Sequence, residues 1–228
     1  MKQRILYSEF AYILGLFILA FGTALMEKAD FGLSMVVAPA YLLHLKISQF
    51  LPFFSFGMAE YTLQAVLILV MILLLRKAKF SYFFSFVTAV IYGFMLDGAM
   101  AIIAPVVLES FFLRLLFYIS GMLFGSFSIA LLFNTYLSPE AYELFVKALS
   151  QHFGFDLYKC KTIYDCTSCL ISVILSFAFF GLWHFEGIKW GTVITALLNG
   201  TLIGLMTKLQ TKLWKFEDKF PWRKHFDM

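Results

Sequence analysis

The sequence predicts an all-α integral membrane protein: about six transmembrane helices forming two inverted three-helix repeats, each with a short interfacial or re-entrant helix. Three observations carry that prediction. The 228 residues are 61% hydrophobic and 14% charged, with a mean hydropathy of +0.85, more apolar than a soluble domain can hide. The apolar runs are long and continuous, unlike the alternating short strands of a β-barrel, so helices must satisfy the backbone in lipid. Finally, the chain matches itself at an offset of 106 residues.

Apolar runs place spans near 8–27, 57–75, 82–104, 112–134, 163–184 and 190–207. Lys2 and Arg4 before the first span imitate a signal peptide. No small-residue cleavage site follows, and the internal match argues that the span is retained. The stretch 32–48 is interrupted by Pro39 and is short for a crossing, which favours a re-entrant or surface-lying hairpin over a seventh span. The stretch 137–154 has Ser138 as a cap, Pro139 in the first turn, Tyr142, Phe145 and Leu149 along one face and Gly154 as a stop. It is expected to lie along the cytoplasmic interface as an amphipathic helix.

Under this six-span arrangement, Lys2, Arg4, Arg76, Lys77, Lys79, Lys147, Lys159, Lys161 and six C-terminal residues share one side, against Lys28, Lys46, Arg114 and Lys189, a split of 14 to 4. That puts both termini in the cytoplasm. The tail 209–228 interleaves basic residues with Trp214, Phe216, Phe220 and Trp222, as suits an anchor at an anionic inner surface. Because the basic residues collect at segment ends, the charge of +4 is a topology signal and no nucleic-acid partner is expected.

The self-match aligns "YILGLFILAFGTAL" (12–25) with "YISGMLFGSFSIAL" (118–131). With small slips it continues, pairing Glu60 with Asp165 and Thr88, Ala89 and Gly93 with Thr195, Ala196 and Gly200. Repeat 1 covers roughly 7–105 and repeat 2 roughly 112–208, each with three spans. An odd number of spans forces the halves into opposite orientations, the plan of many secondary transporters.

Six polar residues stand out as substrate-binding candidates. Glu60 and Asp165 occupy matching places one turn inside their spans, and Gln64 follows Glu60 on the same face. Asp97 lies between Gly93 and Gly98, while Thr195 and Asn199 sit near the middle of the last span. The competing readings are headgroup contact for the two acids and helix-to-helix hydrogen bonding for Thr88, Thr195 and Asn199. Asp30, Glu60, Asp97 and Asp165, in spans that offer no central Lys or Arg, lean toward a cationic or proton-coupled cargo.

Cys166 and Cys169 share a helix face, but Cys160 is the one further ligand at useful spacing. Neither a metal nor any other cofactor is expected, and packing is the favoured role. His44, His152, His184 and His225 are scattered, and no catalytic constellation suggests an enzyme.

The segment "ADFGLSMVVAPAYL", the polar start "KTIYDC" of the fifth span and "GIKWGTVITALLNGTLIGL" together resemble the YczE/YyaS/YitT group of bacterial multipass membrane proteins. The shared features are Gly32 to Ser34, Asp165, and Gly191 and Thr192 followed by Thr195, Asn199 and Gly200. Where that group has glycine-rich turns before the last span, this chain has "HFEGIKWGT". The resemblance implies the bacterial cytoplasmic membrane and a transporter-like role, without naming a substrate.

Three functions compete at this point. The first is a small secondary transporter moving an unidentified small molecule or ion by alternating access. The second is the substrate-binding subunit of an energy-coupling-factor vitamin importer, which has no need of an inverted duplication. The third is a structural or regulatory membrane protein, with homodimerisation through small-residue faces as one arrangement.

Overall fold

A computed structural model of the chain describes residues 4–76, 79–183, 185–223 and 226. Lys2, Lys77, His184 and His225 lie outside them. Eight helices are present among the described residues: α1 (Ser8–Ala29), α2 (Ala38–Ile47), α3 (Phe56–Leu75), α4 (Phe80–Ile103), α5 (Phe111–Phe133), α6 (Ala141–Phe153), α7 (Leu157–Phe180) and α8 (Trp190–Leu213). Six of these, all but α2 and α6, are long and apolar enough to cross a membrane. The chain is an all-α multipass membrane protein.

Local chemistry sets the boundaries. The Ser55 hydroxyl accepts the Met58 N–H at 3.0 Å to start α3. The Asp156 carboxylate accepts the N–H groups of Tyr158 and Lys159 at 3.1 and 2.9 Å to start α7. That cap begins the fifth span at Leu157, six residues before the expected 163, and so draws Lys161 inside the helix and sets Asp165 deeper within it. Gly154 ends α6 in the left-handed conformation, as expected.

The order span, short helix, span, span occurs twice, in α1–α4 and in α5–α8. Packing follows the same rule in each half: α1 lies on α4 and α5 on α8, while α3 lies on α4 and α7 on α8. Each short helix packs between the middle spans of both halves, with α2 and α6 each against α3 and α7. Equivalent hydrogen bonds repeat too. The Tyr12 hydroxyl meets the Thr88 hydroxyl, and the Tyr118 hydroxyl meets that of Thr195 at 2.6 Å. These are two pairs that the self-match had aligned.

The halves join along α1 and α5, where Gly22 and Gly121 bring the two backbones together. A β-carbon on Gly121 would lie 2.6 Å from the Gly22 carbonyl oxygen. No side chain fits there, and helices this close gain dispersion and weak C–H···O contacts that lipid does not supply.

Both short helices start deep in the bundle. Ala141, the first residue of α6, donates its N–H at 2.9 Å to Gln64, the ninth of the twenty residues of α3. The Ser138 and Pro139 carbonyls accept from Thr88 and Ser85 at 3.1 and 2.6 Å. In the other half the Met35 carbonyl accepts from Ser168, at the middle of α7, at 2.8 Å. The segments leading into α2 and α6 are thus re-entrant. Non-helical backbone survives at this depth because neighbouring side chains satisfy it.

For 137–154 this differs from the expected interfacial helix. The helix begins at Ala141, not at Ser138, and Ala141 to Leu144 and Val146 are buried. The apolar face was legible, but the acidic residues Glu140 and Glu143 are buried as well, because polar partners on α3 and α7 await them.

The tail also does more than approach a membrane surface. After α8, strand β2 (Trp214–Glu217) pairs in parallel with β1 (Arg4–Tyr7). Glu9 accepts from the Tyr136 hydroxyl at 2.7 Å and from the Phe220 N–H at 2.9 Å. The Arg223 guanidinium holds Asp218 below the usual carboxylate range. Phe226 is buried against Phe80, Phe84 and Tyr136, so the two ends of the chain are clamped together.

Overpacking at the α1–α5 contact is expected to be destabilising. Gly121→Ala should cost about 1–3 kcal/mol, whereas Gly98→Ala, whose β-carbon would meet nothing within 4 Å, should stay within about 0.5 kcal/mol of the parent. Thermal unfolding in detergent measures both, and equal melting of Gly121→Ala and parent contradicts this packing.

Candidate functional site

A cluster of buried polar side chains lies where the two re-entrant segments approach each other. From α3 come Glu60 and Gln64, from the start of α6 Glu140, Tyr142 and Glu143, from α7 Lys161 and Asp165, and from α8 Thr195 and Asn199; every one of them is buried. Helical spacing explains the pairs: Glu60 with Gln64, and Lys161 with Asp165, are four residues apart and so share a face.

The network consists of two hydrogen-bonded groups, one around Glu60 and Gln64 and one around Lys161 and Asp165, while Thr195 bonds to Tyr118. The Gln64 amide donates to Glu60 Oε2 and to Glu140 Oε2, both at 3.4 Å. The Tyr142 hydroxyl donates to the same Glu60 oxygen at 3.1 Å. Lys161 Nζ donates to Glu143 Oε1 at 3.1 Å and makes an ion-pair contact with Asp165 Oδ1 at 3.0 Å that is not aligned as a hydrogen bond. Asp165 Oδ2 accepts from the Asn199 amide at 3.0 Å, and Asn199 Oδ1 accepts from the Ser126 hydroxyl at 3.2 Å.

Charge does not balance within this network. Glu60, Glu140, Glu143 and Asp165 contribute four carboxyl groups, and Lys161 one ammonium. The α6 N-terminus, beside Glu140 and Glu143, supplies about half a positive charge more. Among the described residues, three buried carboxyl oxygens of the cluster have neither a hydrogen-bond nor an ion-pair partner: Glu60 Oε1, Glu140 Oε1 and Glu143 Oε2. Uncompensated buried charge is expensive, so the cluster demands protons or a further cation.

Beside the cluster lies a cavity of about 30 Å³, lined among others by Tyr92, Glu140, Tyr142, Glu143, Thr195 and Asn199. It has room for one or two waters. Glu140 and Glu143 thus border a small space that Glu60 does not line. Among the described residues, no group of three or more His, Cys, Asp or Glu side chains is arranged to hold a metal.

Of the six residues singled out in the sequence, Glu60, Gln64, Asp165, Thr195 and Asn199 meet here and Asp97 does not. Asp97 accepts from the Ser55 hydroxyl at 2.7 Å and from the Gly57 N–H at 2.9 Å, holding the start of α3 against α4. Asp30 is also elsewhere: it is exposed and pairs with Arg114 at 2.9 Å and with Lys189. Cys160 is buried, Cys166 exposed and Cys169 partly buried.

Four contributors escaped the sequence reading: Glu140, Tyr142, Glu143 and Lys161. Lys161 is not at the centre of its span, being the fifth of the 24 residues of α7, but it is fully buried and brings a cation to the site. A span starting at 163 leaves it among the cytoplasmic charges, whereas the helix starts at Leu157. The Asp156 cap and the i, i+4 spacing of Lys161 and Asp165 are the signals that would have found it.

An all-α bundle with two re-entrant helices and a charged, occluded centre defines a class of multipass membrane protein, without fixing an activity. The chain belongs to the DUF6198 family, a family of unknown function, which it matches over residues 6–208. No curated protein and no solved structure matches it.

Removing the single cation should expose the imbalance. Lys161→Met is expected to lower stability by about 3–5 kcal/mol in reversible unfolding experiments. Adding Glu143→Gln and Asp165→Asn to it should recover most of that loss. A Lys161→Met protein as stable as the parent contradicts the ion-pair geometry.

Proposed function

We propose that the chain is a small secondary transporter whose central site holds a small cation and protons in alternation. The observation that carries this reading is the set of three unpartnered carboxyl oxygens, two of them on residues that line a water-sized cavity, Glu140 and Glu143, at the depth where two re-entrant segments meet. Intramembrane carboxylates are expensive and mark ion and proton pathways. A site that alternately takes protons and a cation remains near neutral in both states.

The two halves support the same reading. Each has three candidate spans, so a duplicated half must cross in the opposite sense to its twin. Two near-equivalent packings of related halves, exchanged by rocking, would open the centre to either side. The excess of Lys and Arg that includes both chain ends puts the termini in the cytoplasm. The resemblance to YczE/YyaS/YitT proteins adds the bacterial cell membrane.

A non-transporting membrane protein is the second reading, and one observation favours it: the cavity of about 30 Å³ is too small for most metabolites as it stands. Flux decides between the two. Guanidinium stays charged at any physiological pH, and in proteoliposomes its uptake against an outward proton gradient is expected for the parent. Glu140→Gln should lower uptake at least tenfold, while Asp97→Asn should weaken the fold and leave flux per folded molecule intact. Guanidinium uptake no faster than in protein-free vesicles, or unaltered in Glu140→Gln, overturns the transporter reading.

A further inference from the structure

A second, larger space lies directly behind the central cluster. It is an apolar groove of about 420 Å³ between α3, α6 and α7, equal to roughly fourteen water volumes at ~30 Å³ each. Val66, Val70, Ile163 and Ile171 on its rim are exposed on the flank of the bundle, where lipid lies. Tyr142 belongs to both spaces: its ring lines groove and cavity alike, and its hydroxyl donates to Glu60. Tyr164, whose ring centre lies 5.6 Å from Lys161 Nζ, lines the groove nearby.

We propose that this groove receives the apolar part of a lipophilic organic cation, which enters sideways from the bilayer and places its cationic head against Glu60 and Glu140 once the Tyr142 side chain turns aside. The proposal rests on the transporter reading and adds the class of cargo and its route. Two features select this occupant over a phospholipid acyl chain. The groove is apolar and open to lipid, which suits any hydrocarbon, but it ends at a side chain bonded to a carboxyl group whose other oxygen is unpartnered. A neutral chain gains nothing from that acid. A cation gains a charge-assisted hydrogen bond to Glu60 and aromatic faces at Tyr142 and Tyr164. Since the pocket between the halves holds only a water or two, the body of a larger cargo must lie in the groove.

The test is binding of radiolabelled octylguanidinium and of guanidinium to the full chain in phosphatidylcholine nanodiscs, corrected for protein-free discs, with octan-1-ol as the neutral competitor. The parent should bind octylguanidinium at least tenfold more tightly than guanidinium, and octanol should displace it weakly. Val66→Trp and Ile163→Trp place bulk on the lipid-facing rim, far from the acids. Either should erase the tenfold preference and leave guanidinium binding unchanged, whereas Glu60→Gln should weaken both ligands. Absence of saturable octylguanidinium binding to folded protein overturns the proposal. So does octanol competing as well as octylguanidinium itself, or a preference that survives both tryptophans, since the groove then holds lipid chains only. If guanidinium still crosses in exchange for protons, the transporter reading outlives that failure. If octylguanidinium binds through Glu60 but neither cation crosses, the groove stands and the transporter reading falls.

Discussion

The centre of this protein depends on one ammonium group. Lys161 Nζ sits 3.1 Å from Glu143 and 3.0 Å from Asp165, fully shielded from water and lipid. It ties the first turn of α6 to the N-terminal part of α7. Without it Glu143 would enter the bundle with nothing but a helix end to answer it, while Glu140 would keep the Gln64 amide. With it, the segment that leads into α6 can leave the surface and reach the depth of Gln64, where its backbone finds partners on α3 and α4. The same ion pair leaves the site short of positive charge, and this deficit makes the proposed cargo a cation.

A repeated order of elements gives the arrangement its frame. The Tyr–Thr hydrogen bond within each half, and the seating of each short helix between α3 and α7, repeat the same solution twice. The charged residues do not repeat in the same way. Glu60 and Asp165 are counterparts, but Glu140, Glu143 and Lys161 all belong to the second half, whereas the loop before α2 brings Ser34, Val36 and Val37 to the cavity. The scaffold is therefore symmetric and its chemistry is not. One re-entrant tip supplies charge and the other supplies shape.

Much of this was legible in the residues. Six continuous apolar runs determined the spans, and the aligned Glu60 and Asp165, with Gln64, Thr195 and Asn199, pointed to the buried centre. What could not be read follows from how polarity is interpreted. "LSPEAYELFVKALSQHFG" looks amphipathic because Glu140, Glu143 and Lys147 alternate with apolar residues, and an amphipathic helix normally keeps its acids in water. Their burial depends on Lys161 and Gln64, which approach only after folding. Asp97 misled for the opposite reason. A carboxyl group between glycines suggests an open site, but the glycine at position 93 lets α3 come close enough for Asp97 to cap it.

The central claim is that the buried acids hold protons that a cation replaces. Infrared difference spectra of the protein in nanodiscs at neutral pH, recorded as guanidinium is added, test it most directly. The account predicts that a protonated-carboxyl band disappears as guanidinium binds, and that Glu140→Gln diminishes the change. Saturable guanidinium binding with the carboxyl region unaltered would contradict it.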